Sequence, residues 1–127
     1  MYLNFKTPGL NINNIRNKID TTGNLIITDK KGNPITETDN IGTGYKINIE
    51  LSNKKYTYTA IILGDTTGDG KITVTDVSKM FQHYRNTNTM EDIYIVAGDV
   101  KNDNEIKLTD VAKLFQYVRG KIDNLEE

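Results

Sequence analysis

The 127 residues contain no cysteine. That excludes disulfides, thiol nucleophiles and Cys-ligated zinc, although it does not by itself place the protein in a compartment. No apolar run is long enough to span a bilayer, and no signal peptide is visible. Charge of one sign is also missing. The net charge is −1 with no basic stripe, so nothing draws the chain to nucleic acid or to an anionic membrane. The single histidine, His83, falls in a helical stretch where its neighbours are assigned to packing or contact, which gives it a structural or exposed role. The carboxylates gather at metal-ligand spacing, leaving no acid/base pair for hydrolysis, and an enzyme is the disfavoured class. The length suits one compact domain or two small ones.

What the chain does have is a duplication. Gly64-Asp65-Thr66-Thr67-Gly68-Asp69-Gly70-Lys71-Ile72-Thr73-Val74-Thr75-Asp76 and Gly98-Asp99-Val100-Lys101-Asn102-Asp103-Asn104-Glu105-Ile106-Lys107-Leu108-Thr109-Asp110 share one design, with Asp65 and Asp99 lying 34 residues apart. Counting from those aspartates, acidic residues fall at positions 1, 5 and 12 of both segments, the ligand spacing of an EF-hand loop. Ca²⁺ is a hard cation that takes roughly six to eight oxygens. The first loop offers Asp65, Thr67, Asp69, the Lys71 carbonyl and Asp76, with Gly70 at position 6 for a sharp turn that needs φ > 0. Ca²⁺ binding is expected here, against the plainer alternative of an Asp-Gly turn followed by a helix cap. The apolar Ile72 at position 8 is expected where two such loops pair their backbones.

The second loop keeps Asp99, Asp103, the Glu105 carbonyl and Asp110, and Asn104 replaces glycine at position 6. Lys101 stands at position 3, and an ammonium cannot be a ligand. Lys107 at position 9 adds further positive charge. Either Lys101 swings out and water fills its place, or its ammonium substitutes for the ion. A Lys101→Asn substitution is expected to tighten the second site, unless Lys101 already points away.

The repeat continues past the loops. Thr75 to Arg85 matches Thr109 to Arg119, and apolar residues at Val77, Met80 and Tyr84, and at Val111, Leu114 and Val118, give each segment one apolar helix face. Thr75 and Thr109 are expected as helix caps, with Gly120 as the stop of the second helix. Tyr56 to Leu63, before the first loop, reads as a strand. Each loop therefore carries only its exiting helix, with a short linking helix expected over Met90 to Val96.

Two half EF-hands in about sixty residues, each opening with Gly-Asp, resemble a dockerin domain over residues 64 to about 122. The resemblance implies a Ca²⁺-ordered module, monomeric when free. It would bind a cohesin and so hold a secreted protein in an extracellular or cell-surface complex of a Gram-positive bacterium. It also implies contact residues: Val74, Thr75, Phe81 and Gln82 in the first repeat, and Leu108, Thr109, Phe115 and Gln116 in the second. The pairs are alike in kind, so a two-fold related surface could dock in either of two orientations, on a partner surface that is apolar rather than read by charge. Phe81 and Phe115 could instead widen the core face. Within the same fold, the repeats could also serve as a structural Ca²⁺ clasp without a cohesin partner. Burial of Val74, Phe81, Leu108 and Phe115 would favour that role, and exposure would favour a partner.

Residues 1 to 63 read as a small mixed helix and antiparallel-strand module, and residues 64 to 127 as the helical module, with repeats at 64–85 and 98–120; the class is α+β. In the first part a helix is expected over Leu10 to Ile19, a turn over Asp20 to Asn24 and a strand over Leu25 to Thr28. A turn at Lys30 to Pro34 follows. Strands Tyr45 to Leu51 and Tyr56 to Leu63 are then expected to pair across a loop holding Ser52, Asn53 and Lys54. This order resembles modules that precede dockerin repeats in secreted proteins. Gly42-Thr43-Gly44 lacks the helix and lysine of a phosphate loop and reads as a turn or bulge. No linker separates the halves, so the two are expected to pack as one body. The arrangement suggests a C-terminal piece of a larger secreted protein, begun here at an added Met1.

Overall fold

A run of β-branched and aromatic residues builds the longest strand of the molecule, and the rest is arranged around it. The computed structural model describes residues 2–6, 8–19, 24–122 and 125. Its elements are β1 (Tyr2–Phe5), α1 (Ile12–Ile19), β2 (Asn24–Thr28), β3 (Lys46–Leu51), β4 (Lys54–Ile62), α2 (Val74–Tyr84), α3 (Asp92–Gly98) and α4 (Leu108–Val118). The turn expected at Asp20 to Asn24 lies, apart from Asn24, outside the described residues, as does the side chain of Ile19.

The sheet runs β1-β4-β3-β2. β2, β3 and β4 are antiparallel as the alternation implied, while β1 joins β4 in parallel and makes the sheet mixed. The β3–β4 loop is tighter than expected. Lys54 pairs with Leu51, leaving Ser52 and Asn53 as a two-residue turn with φ of 50° and 67°, the conformation that matches hairpin twist. Helix α1 opens on a reciprocal cap, with the Asn11 N–H donating to Asn14 Oδ1 and the Asn14 N–H to Asn11 Oδ1. Its Ile12 and Ile15 pack on one sheet face with Leu25, Ile27, Ile41, Ile47, Ile49, Ala60 and Ile62. The buried Ile61 alternates to the opposite face, and α3 packs beside β4.

A second apolar cluster joins the repeats: Val77, Met80, Met90, Ile106, Val111, Leu114 and Leu125, with Leu63, Ile72 and Val118 packed around them. Ile72 and Ile106 share this cluster, yet no backbone hydrogen bond links them among the described residues. The position 8 residues thus pack into the shared cluster and do not pair their backbones. Tyr84 departs from the expected core face: it is exposed and stacks on Phe81 at 6.4 Å between centroids.

The helices begin one residue before the threonines expected to cap them, and their N-caps lie two residues before. The N-caps are Thr73 and Lys107, whose N–H groups donate to Asp76 Oδ2 and Asp110 Oδ2, each at 2.8 Å. The carboxylate three residues into the helix holds its start, so the threonines were not needed for it. Both helices end alike. Asn86 and Gly120 sit at φ of 61° and 77°, and Thr87 and Lys121 donate back to the Gln82 and Gln116 carbonyls, the Schellman arrangement. Gly120 stops α4 as expected, and Asn86 does the same for α2.

Candidate metal centre and interaction surface

Each loop gathers its three aspartates. Asp65, Asp69 and Asp76, and likewise Asp99, Asp103 and Asp110, bring carboxylate oxygens within 4.8 Å of one another. Calcium–oxygen distances of about 2.3–2.6 Å place opposed ligands near that separation, so both all-oxygen sets fit Ca²⁺. In the first loop the Thr67 hydroxyl joins the cluster, donating to Asp76 Oδ1 at 2.9 Å and reaching Asp65 Oδ1 at 3.4 Å. Gly70 and Asn104 hold position 6 at φ of 80° and 68°. Lys71 and Glu105, whose carbonyls were assigned as ligands, are exposed, and their N–H groups donate to Asp69 Oδ1 and Asp103 Oδ1.

Asp65 and Asp76 are fully buried, and so is Asp110. Burial pushes all three carboxyls above the usual carboxylate range, and nearby aspartates push the same way. Backbone N–H groups counter this. Asp65 Oδ1 accepts from Gly68 and Asp69, and its Oδ2 from Gly70 and Thr43. Asp76 Oδ1 accepts from Thr67 N–H, as Asp110 Oδ1 does from Lys101 N–H.

The two lysines of the second loop take different places. The Lys101 side chain lines a shallow groove with Thr109, Ala112, Lys113 and Gln116, and pairs with no carboxylate among the described residues. Of the two readings, the swung-out Lys101 fits. The cation at the ligand set is Lys107, whose ammonium lies 3.1 Å from Asp103 Oδ2 and 3.5 Å from Glu105 Oε2. This contact holds Asp103 below the usual carboxylate range and raises Lys107. Thr73 occupies the matching place in the first loop.

The residues assigned to partner contact all lie on the surface. Val74 and Leu108 are 59% and 52% exposed, Phe81 and Phe115 are 39% and 41%, and Thr75, Gln82, Thr109 and Gln116 are exposed too. Sequence reasoning missed the cations that accompany the phenylalanines. Arg85 lies 5.5 Å over the Phe81 ring and Arg119 lies 5.4 Å over Phe115. The i,i+4 spacing of Phe and Arg in both helices was the available signal. His83 is structural: its Nδ1 accepts the Met90 N–H at 2.9 Å.

The first loop also has a partner outside the repeats. Gly42-Thr43-Gly44 is a turn, as expected, but the Thr43 N–H donates to Asp65 Oδ2 at 2.9 Å, a role its sequence did not signal.

Paired aspartate loops, each followed by one capped helix, define a duplicated half EF-hand. The family model of the dockerin type I domain matches residues 63–119, and these residues form a dockerin type I domain. Among solved structures, the chain is similar to one of the third cohesin ScaC in complex with the ScaB dockerin from Acetivibrio cellulolyticus, mutated in the N-terminal helix. The identity is 25%, the TM-score is 0.49, and the match covers 52% of this chain and 93% of that one. No curated protein matches the sequence.

Proposed function

We propose that this protein is a non-catalytic, Ca²⁺-dependent interaction module that binds a cohesin and works outside the cell or at its surface, monomeric until it docks. The observation that carries this reading is the pair of equivalent exposed patches on α2 and α4 within a dockerin type I segment. Ca²⁺ is held by Asp65, Thr67, Asp69, the Lys71 carbonyl and Asp76 in the first loop, and by Asp99, Asp103, the Glu105 carbonyl and Asp110 in the second. Val74, Thr75, Phe81 and Gln82, or their counterparts Leu108, Thr109, Phe115 and Gln116, face the cohesin. The functional boundary falls between residues 63 and 64. Exposure of Val74, Phe81, Leu108 and Phe115 favours a partner over a purely structural clasp.

The test is binding to a panel of immobilised type I cohesins with Ca²⁺ and with chelator. Capture by at least one cohesin that chelator reverses is the expected result. No binding to any of them, by protein shown to be loaded with Ca²⁺, would leave the clasp as the better reading.

A further inference from the structure

The two loops repeat one another in sequence but not in surroundings. Asp65 Oδ2 accepts two N–H groups, Gly70 of its own loop at 3.0 Å and Thr43 of the β2–β3 connection at 2.9 Å. The matching oxygen of Asp99 accepts the Asn104 N–H alone among the described residues. Thr43 is itself fixed. It is fully buried, and its hydroxyl accepts the Ile62 N–H at 3.0 Å and donates to the Ile62 carbonyl at 3.3 Å. Gly42 brings the backbone of this turn against the loop, since a Cβ there would lie 2.6 Å from the Gly68 carbonyl oxygen and 2.8 Å from Gly70 N. Lys30 Nζ donates to the Thr67 carbonyl at 2.8 Å and closes the loop from another side.

We infer that the Gly42-Thr43 turn and Lys30 are positioning residues of the first Ca²⁺ site, so that the N-terminal half sets the affinity of that site and leaves the second untouched. The inference rests on the Ca²⁺-loop reading above. Outer-shell donors fix the orientation of a ligating carboxylate, and their loss costs about 10–100-fold in metal affinity. A loop already held in its binding shape also loses less conformational freedom when the ion arrives. The second loop has neither advantage and carries Lys107 against Asp103 as well. The first site is the tighter of the two, and part of the reason lies outside the repeat.

The experiment titrates Ca²⁺ into chelator-stripped full-length protein. Calorimetry gives the constants, and the amide resonances of Gly70 and Asn104 report each loop separately. The exposed Lys30→Met should raise the Ca²⁺ midpoint at Gly70 up to about fivefold and leave Asn104 unchanged, while Lys31→Met moves neither. Gly42→Ala, if folded by circular dichroism, should raise the Gly70 midpoint by about 10–100-fold. A Gly70 midpoint in Lys30→Met equal to wild type overturns the inference whether or not Gly42→Ala folds. Equal shifts at both loops overturn it too. Absence of Ca²⁺ binding to the wild type would sink the Ca²⁺-loop reading itself, and this inference with it.

Discussion

Asp76 and Asp110 each do two things with one carboxylate. One oxygen caps the helix that follows and the other faces the loop. With Asp65 they form the buried acidic set, and all three carboxyls are raised above the ordinary value by burial. A raised carboxyl pKa means that the folded, metal-free state holds the proton more tightly than the unfolded chain does. Its contribution to stability is full below the ordinary carboxylate value and is lost as pH rises through the raised one. Asp103, lowered by Lys107, acts in the opposite sense but is exposed and screened. In chelator the melting temperature should therefore fall between mildly acidic and neutral pH, and the gain on adding Ca²⁺ should be larger at neutral pH. A chelated protein that melts higher at neutral pH would contradict the assignment. At Lys107, replacement by the Thr found at the matching place in the first loop should tighten the second site up to about fivefold. Lys101→Asn should leave it unchanged, because Lys101 lies along α4. A tighter site in Lys101→Asn by Ca²⁺ titration would reverse these roles.

At the scale of elements, the repeats pack crosswise. A Cβ on Gly64, which opens the first loop, would meet Leu114 of α4 at 3.1 Å, and one on Gly98 would meet Met80 of α2 at 3.2 Å. Gly64 also sits at φ of +90°, where a Cβ would come within 2.7 Å of Leu125. Gly64→Ala should cost about 2 kcal/mol through strain and overpacking combined, measured by denaturant unfolding. An unchanged midpoint would mean that the helices are not locked by this contact. On the outer face of the helices, the proposed pair of equivalent patches predicts that Phe81→Ala and Phe115→Ala each weaken cohesin binding modestly and that the double substitution abolishes it. Their cost in stability should stay below that of Leu114→Ala, which removes a fully buried side chain at about 2–5 kcal/mol. Stability losses as large as that of Leu114→Ala would return both phenylalanines to the core.

For the whole molecule, sequence periodicity carried the α+β division, the three antiparallel strands and both loop-linked helices. The acidic spacing carried the two triads, since a loop that wraps a small cation leaves few ways to place its oxygens. What escaped were contacts distant in the chain. The parallel pairing of β1 with β4 joins segments more than fifty residues apart, and no local pattern announces it. The Thr43 clamp on Asp65 is donated by a backbone N–H, so the side chains of the turn carried no signal beyond the smallness of Gly42. The choice between Lys101 and Lys107 depended on which way two flexible side chains point. The threonine caps failed because helix entry was governed by the aspartate that also serves the loop. The contacts of Thr43 and Lys30 with the first loop further imply that Ca²⁺ stabilises the N-terminal sheet as well as the helices. Amide exchange in β4 should slow on Ca²⁺ loading; exchange there that ignores the ion would mean the halves are uncoupled.

The most direct measurement is a calorimetric Ca²⁺ titration of chelator-stripped wild-type protein. Two unequal sites per chain are predicted, the tighter one reported by the Gly70 amide. No binding heat, with both amides unmoved at millimolar Ca²⁺, would contradict the account at its base.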